Sequence, residues 1–503
     1  MELFNTLLSW FMKKRISQIE LFKEHPIEVQ NEVLANLLGK SRNTEWGRKY
    51  SFENIKSYHD FKSVVPIVRY EDIADIIEQV MKGEDNILWP SEIKWFSKSS
   101  GTTNAKSKFI PVSNEALEDC HFKAGKDLLS MYLNNYPESK LFTGKGLVIG
   151  GSSQVNHLNS KSSYGDISAV IMKNLPLWAQ YVRVPSLDIA LMENWEEKIE
   201  KMAHAVKDEN ITSITGVPTW TIVLLQRILE LTGKKKIIEV WPNLELFAHG
   251  AVAFGPYRHL FDELIGAKIN YIDSYNASEG FFAIQDRSDH EDMLLMLDYG
   301  IFYEFLPTEY LDKDHSKVVT LEEVELDKNY AMIITTNAGL WRYMIGDTIK
   351  FTTKSPYRIK ITGRTKHFIN AFGEEMVIEN AETAIAEACK QSGASIENFT
   401  AAPIYLEVGK RGGHEWVIEF ITKPDSIETF TEILDNKLKA INSDYEAKRQ
   451  KDIALIKPRV HIAPEKTFYN WMKKRGKLGG QHKVPRLSNS REFIDEILKI
   501  IST

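Results

Sequence analysis

A chain of 503 residues, 43% apolar and 26% charged, buries large cores without covalent staples and is long enough for about two to four domains. Its formal net charge of -6 supplies no global basic field, which excludes recruitment of nucleic acid by bulk electrostatics. Two distant cysteines, Cys120 and Cys389, and 13 histidines with no HExxH-type spacing exclude a disulfide framework and the common zinc motifs.

At the N-terminus, MELFNTLLSWFMKKR carries its positive charges after the apolar run and has no small-residue cleavage site. It reads as an amphipathic helix docked on the body. No run approaches the ~18 apolar residues of a spanning helix, and the two distant cysteines fit a reducing compartment, so a cytoplasmic location and no membrane partner are expected, with membrane-surface binding of the first helix as the alternative. Residues 1–90 read as mostly helical, with breaks at Pro66 and Pro90. Next comes Ser99–Pro111, SSGTTNAKSKFIP, flanked by two extended stretches. Its hydroxyls and free backbone N–H groups suit phosphate oxygens, Gly101 permits close approach, and Lys108 adds charge. It is not a Walker loop, which needs GxxxxGK[ST] between a strand and a helix. An ordinary Ser/Gly hairpin turn is the plainer reading of this stretch by itself.

Helical periodicity follows over 115–136, then a buried strand ending in glycines at 146–150. From 187 the pattern alternates regularly: helix 195–206, strand 211–215, a helix after Pro218, strand 244–248, helix 257–265 and strand 268–272. Such alternation means parallel pairing with helices covering the sheet, and ligand loops at the strand carboxyl ends. Thr215-Gly216, His249-Gly250 and Ser274-Tyr275-Asn276 fall at three of those ends. From 281 to about 361, strands without intervening helices predict an antiparallel region. The rest alternates again, with helix 378–392, strands 400–407 and 415–421, helix 427–442, strand 457–462 and helix 464–473. This predicts a small α+β domain, with the boundary near 363–367.

Three further segments carry chemistry. In Ser274-Tyr-Asn-Ala-Ser-Glu-Gly280 an aromatic ring can lie on a purine, and Glu279 can hold a divalent cation through oxygen. In Trp341-Arg-Tyr-Met-Ile-Gly-Asp347 a carboxylate after a glycine turn can accept from the paired hydroxyls of a ribose. In Ile361-Thr-Gly-Arg-Thr-Lys-His-Phe-Ile-Asn-Ala-Phe-Gly373 a basic pair follows a glycine where a hinge over an anionic ligand would need it; taken singly, each of the three segments also reads as an ordinary turn, with Asp347 as a turn or cap residue.

Together these residues resemble the adenylate-forming superfamily of acyl-CoA synthetases and luciferase. Within it the closest likeness is to the auxin-responsive-promoter (Gretchen Hagen) family of acyl-acid amido synthetases, in its bacterial branch, over nearly the whole chain. Ser99–Pro111 follows the family's SSGTSxGxxKxIP, departing at Thr103 and Ala105. Tyr275, Ser278 and Glu279 match Tyr-x-x-Ser-Glu. Asp347 matches the end of Tyr-Arg-x-Gly-Asp, whereas Arg342-Tyr343 stand inverted. Gly363, Arg364 and Lys366 match the hinge Gly-Arg-x-Lys, and Gln481-His-Lys-Val-Pro-Arg486 resembles Gln-Tyr-Lys-x-Pro-Arg.

The resemblance implies an α/β fold: a large N-terminal adenylate-forming domain of mixed and parallel sheets covered by helices (1–364), plus a small mobile α+β domain (365–503). It implies attack of a carboxylate on ATP with Mg²⁺, giving an acyl-adenylate and pyrophosphate, then transfer to an amine such as an amino acid. Lys483, Lys108 and Glu279 are the expected catalytic groups, with Glu279 on the metal. Ser99, Ser100, Gly101, Thr102, Thr103, Gly250, Ala251, Tyr275, Asn276, Ala277, Ser278, Asp347 and Arg364 are expected to hold the nucleotide. Coenzyme A as acceptor, or a non-catalytic nucleotide sensor, are the alternatives.

Overall fold

The computed structural model describes residues 14–99, 108–150, 155–176, 180, 182–192, 194–252, 254–311, 313–365, 368–407, 410–452, 454–475 and 484–502. The expected N-terminal helix falls partly among residues 1–13, outside those described; from 14 to 24 the chain is helical. Arg15 anchors that helix to the body. Its guanidinium donates to both oxygens of Asp127 at 2.6 and 2.7 Å and to Asp298 at 2.6 and 2.9 Å.

The central element is an 11-stranded sheet. From one edge its strands are Ile301–Pro307, Asn329–Thr336, Tyr343–Lys354, Tyr357–Arg364, Met293–Leu295, Gly280–Ile284, Asn270–Ala277, Leu246–Gly250, Ile211–Gly216, Lys145–Val148 and Arg183–Val184. The last five are mutually parallel. The others pair antiparallel, and the change of direction falls at the hairpin joining Asn270–Ala277 to Gly280–Ile284.

The parallel half follows from the alternating sequence. Helix Trp195–Val206 buries Trp195, Ile199, Met202, Ala203 and Val206, a single 3.6-period stripe. Helix Pro218–Thr232 starts with proline, whose missing N–H is no loss there, and ends at Gly233 in the left-handed region. The antiparallel half is two runs of hairpin-connected strands, 270–295 and 301–364, joined where Met293–Leu295 pairs with Tyr357–Arg364; its edge strand Ile301–Pro307 is buried along its whole length. A smaller four-stranded sheet, in the order Lys108–Val112, Trp95–Ser99, Ser163–Gly165 and Asn156–His157, stands beside it.

Beyond Arg364 a short hairpin, Phe368–Ile369 with Met376–Val377, leads into a three-stranded sheet. Strands Ser395–Ile404 and Gly413–Thr422 pair antiparallel, and Arg459–Ala463 adds in parallel. The sheet is covered on both faces. Helix Ile427–Ile441 places Phe430, Leu434 and Leu438 in one cluster with Trp416 and Ile418. Helices Thr467–Lys474 and Glu492–Ile501 place Phe468, Trp471, Ile494 and Ile497 in another with Val417 and Ala402. The first cluster also runs into the core of the parallel half, through Ile369 and Phe372. Two hydrogen bonds fix that approach: Tyr257 Oη donates to the Ala371 carbonyl at 2.5 Å and Asn370 Nδ2 to the Ala251 carbonyl at 3.1 Å.

Two local expectations are corrected. Ser274–Asn276 do not follow a strand; they lie inside one that continues to Ala277, because Ser274, Tyr275 and Asn276 pair with Gly280–Ile284 across the hairpin. The helical pattern over 115–136 is interrupted by a π-turn at Leu117–Phe122, where the Cys120 thiol accepts the Phe281 N–H at 3.2 Å.

Candidate active site

The serine-rich loop begins and ends on a hairpin. Strand Trp95–Ser99 pairs antiparallel with Lys108–Val112, so Ser99 stands opposite Lys108 at the loop's two feet. Ser100, Gly101, Thr102 and Thr103 lie outside the described residues. Ser97 Oγ donates to Ser278 Oγ at 2.8 Å, tying this hairpin to the turn that closes strand Asn270–Ala277. Lys108 extends over the Tyr70 ring, 5.6 Å from its centroid, and Tyr70 Oη accepts the Phe109 N–H at 2.9 Å.

Ser278 and Glu279 form the two-residue turn between Ala277 and Gly280. Glu279 is half-buried there. Burial pushes its carboxyl up to about 7; Lys108 and Arg364 pull against that, and the Asp347 charge adds to it.

Asp347 is held from two sides. Tyr275 Oη donates to its Oδ2 at 2.7 Å, and Arg364 Nε donates to Oδ1 at 2.8 Å. Three strands separate Tyr275 from Asp347 in sheet order, about 19 Å at strand spacing, so this bond requires the antiparallel half to curl. Gly346, at φ 94°, and Gly363, at φ 146°, take backbone shapes there that a side chain resists. Arg364 also reaches Glu375 Oε2 at 3.4 Å and lies over the Phe368 ring at 5.4 Å. The site therefore gathers two cations, Lys108 and Arg364, and three carboxylates, Glu279, Asp347 and Glu375.

Gly250 ends its strand opposite Ser274. A methyl group on Gly250 would stand 2.5 Å from the Ser274 carbonyl oxygen and 3.3 Å from Asn276 Oδ1. Only glycine lets these strand ends approach so closely. Ala251 follows at φ 70°.

The described candidate residues, Ser99, Lys108, Gly250, Ala251, Tyr275, Asn276, Ala277, Ser278, Glu279, Asp347 and Arg364, thus lie at one end of the sheet system. One role is corrected. The Tyr275 ring is 5% exposed and packs on Phe282 at 4.8 Å, so it offers no face to a purine; its work is to hold Asp347. Arg342 points away from Asp347 into the core, where it donates to Glu304 at 2.8 and 2.9 Å and to the Val65 carbonyl at 2.6 Å. Lys366 and Lys483 lie outside the described residues; the segment after Lys483 is anchored, since the Ala401 N–H donates to the Arg486 carbonyl at 2.9 Å.

Three contributors escaped the sequence: Ser97, Tyr70 and Glu375. Ser97 alone had a readable signal, two residues ahead of the loop and on the same strand face as Ser99. Tyr343 Oη is buried with no hydrogen-bond partner among the described residues, and Glu279 and Arg364 are among its charged neighbours. Burial holds that hydroxyl well above its ordinary pKa, so it stays a proton donor.

Family models match three consecutive stretches: the GH3 family N-terminal domain over 15–269, the central domain over 294–364 and the C-terminal domain over 379–492. The chain belongs to the GH3 family. Among its GH3 relatives, the indole-3-acetic acid-amido synthetase GH3.3 of Arabidopsis thaliana is 22% identical, over 91% of this chain and 89% of that one. The 4-substituted benzoates-glutamate ligase GH3.12 of the same plant is 23% identical, over 92% and 93%. Among solved structures, the GH3.15 acyl acid amido synthetase aligns with a TM-score of 0.61 at 17% identity, covering 97% of this chain and 95% of that one. A 2-hydroxyisobutyryl-CoA ligase in complex with 2-HIB-AMP and CoA aligns with a TM-score of 0.57 at 13% identity, covering 95% and 92%. This GH3 chain therefore shares its fold with adenylate-forming enzymes of two acceptor types.

Proposed function

We propose that this chain is an ATP-dependent acyl-acid amido synthetase. The observation that carries the proposal is the convergence of the Ser99–Lys108 hairpin, Glu279 and the Tyr275–Asp347–Arg364 chain at one end of the sheet, in a member of the GH3 family. In the first step a carboxylate oxygen of the acid attacks the α-phosphorus of ATP. The bond to the β-phosphate breaks, and pyrophosphate leaves. In the second step an amine nitrogen attacks the acyl carbon, AMP leaves, and the ammonium proton passes to solvent.

Two like-charged groups must meet in the first step, so a positive field is required. Lys108 supplies part of it at the foot of the phosphate loop, and Lys483 is assigned the mobile part. Ser99, Ser100, Gly101, Thr102 and Thr103 donate to phosphate oxygens. Asp347, oriented by Tyr275 and Arg364, accepts from the ribose, while Gly250, Ala251, Asn276, Ala277 and Ser278 line the approach of the base. Among the described residues no cluster of three or more metal-ligating side chains occurs. A single carboxylate at Glu279 fits Mg²⁺ all the same, because that ion keeps waters and takes its remaining ligands from phosphate. Bound there, it would neutralise charge on the triphosphate. We place the functional boundary between Arg364 and Thr365, with residues 365–503 as the moving part; rotation about that junction would bring in Lys483 for the first step and withdraw it for the second.

A panel of carboxylic acids scored by ATP–pyrophosphate exchange tests the first step. AMP release with the 20 amino acids, and separately with coenzyme A, tests the second. Exchange with at least one acid and AMP release with an amino acid are expected. AMP release with coenzyme A alone would assign the chain to acyl-CoA ligation, and ATP binding without exchange for any acid would make it a nucleotide sensor.

A further inference from the structure

The parallel half of the sheet holds two buried cations that the adenylation chemistry does not use. Arg183 lies on the edge strand Arg183–Val184 and is 8% exposed. Among the described residues its Nε has no hydrogen-bond partner, and Nη1 lies 3.6 Å from the thioether of Met172. No carboxylate among the described residues pairs with it. Lys198, on helix Trp195–Val206, is 0% exposed. Its Nζ donates to the Gly150 carbonyl at 3.3 Å and sits 4.5 Å from the centroid of Trp195, itself stacked on Trp220.

The same methionine joins the two. Its terminal carbon packs so tightly on Gly150 that a methyl group there would stand 2.1 Å from it. Arg183, Met172, Gly150 and Lys198 therefore form one continuous cluster just past the carboxyl end of strand Lys145–Val148. That end neighbours the end of Ile211–Gly216, which in turn neighbours Leu246–Gly250. At strand spacing, the cluster lies about 10 Å from the Gly250 end of the proposed nucleotide site.

An unpaired guanidinium in the interior is strongly unfavourable unless an anion joins it. Burial lowers the pKa of Arg183, and brings Lys198 down to about 8 against an opposing pull from Asp166. The guanidinium fork matches a carboxylate with two parallel hydrogen bonds.

We propose that Arg183 and Lys198, grouped around Met172 and Gly150, form a subsite for a substrate carboxylate other than the one that is activated. The proposal rests on the amido-synthetase reading. That carboxylate belongs either to the amino-acid acceptor or to the far end of a dicarboxylic acyl acid.

The test compares the full-length wild type with Arg183→Met, which keeps a long apolar stem and removes the charge. Each amino acid is assayed against its amino-acid amide in AMP release, and each dicarboxylic acid against its monoamide in pyrophosphate exchange. The wild type should prefer the free carboxylate in one of the two series by about 10- to 100-fold in kcat/KM, as expected for a charge-assisted hydrogen bond. Arg183→Met should abolish that preference. Loss in the amine series assigns the subsite to the acceptor, and loss in the acid series assigns it to the acyl acid. Arg183→Met should also melt no lower than the wild type, because it removes an unpaired buried charge. Lys198→Met should reduce the same preference and no other.

A preference retained in Arg183→Met, or none in the wild type, overturns the proposal; so does a variant that melts lower with its preference intact, which would make Arg183 a structural residue. If no acid supports exchange, the amido-synthetase reading itself fails. The subsite is then judged by melting with succinate against succinamide: a succinate-specific rise that Arg183→Met loses supports it, and its absence overturns it.

Discussion

Replacing Glu279 with glutamine removes a carboxyl group that the fold holds where a charge is poorly accommodated. Burial, with the Asp347 charge adding to it, lifts this group from an ordinary 4.5 to about 7. The folded protein therefore binds the Glu279 proton more tightly than the unfolded chain does. Between those two values the folded state carries the extra proton, so stability falls as pH rises through the window. The penalty is absent below 4.5 and complete above about 7. A gap of this size corresponds to about 3 kcal/mol. Glutamine carries no charge at any pH. In metal-free buffer Glu279→Gln should therefore melt close to the wild type at about pH 5 and clearly above it at about pH 8. Magnesium and ATP should narrow the difference at the higher pH by stabilising the wild-type carboxylate. Because the cation needs the ionised carboxyl, half-saturation should require about tenfold more magnesium at about pH 6 than at about pH 8. A melting difference of the same size at both pH values would refute the reasoning, since it would show that ionisation of Glu279 carries no penalty in the fold.

The remaining predictions concern other parts of the site and its frame. Asp347→Ala should raise the KM for ATP by about 10- to 100-fold in pyrophosphate exchange, the worth of hydrogen bonds to a charged acceptor; an unchanged KM would remove Asp347 from the ribose. Lys483→Ala should slow exchange by about 10²- to 10³-fold with ATP binding retained, as expected when one preorganised positive donor is lost; unaltered exchange would contradict its role. Arg342→Ala should destabilise the fold by about 3–5 kcal/mol in chemical denaturation, because Glu304, 0% exposed, is left as an uncompensated buried charge. Exchange per folded molecule should persist in that variant, and its loss with stability intact would place Arg342 in the active site.

The regular parts of the fold were legible because they are written in local periodicity. Helices Trp195–Val206 and Ile378–Ser392 stand where the apolar stripe placed them, since one face must be buried whatever the neighbours are. The strand ends were less legible. Asn270–Ala277 continues through the consecutive polar residues Asp273 and Ser274, which interrupt a period-two pattern; partners on the neighbouring strands keep them in the strand. Tyr275 shows the same limit within the site. Its place in the motif was visible, but the direction of its ring was set by Phe282 and Asp347, which arrive from other strands.

The sequence by itself determined the chemistry on offer: a hydroxyl-rich loop with a lysine at its foot, a carboxylate in a strand turn, and an aspartate after a glycine. These are properties of residue type and spacing, and they survive without knowledge of the fold. Which of these groups meet was settled by packing. The curl that brings Tyr275 to Asp347, the burial that raises Glu279 to about 7, and the lack of a partner for Arg183 Nε among the described residues all depend on packing between segments far apart in the chain. Charge is a property of the residue, whereas its free-energy cost is a property of the surroundings, and the surroundings come into being when the chain folds.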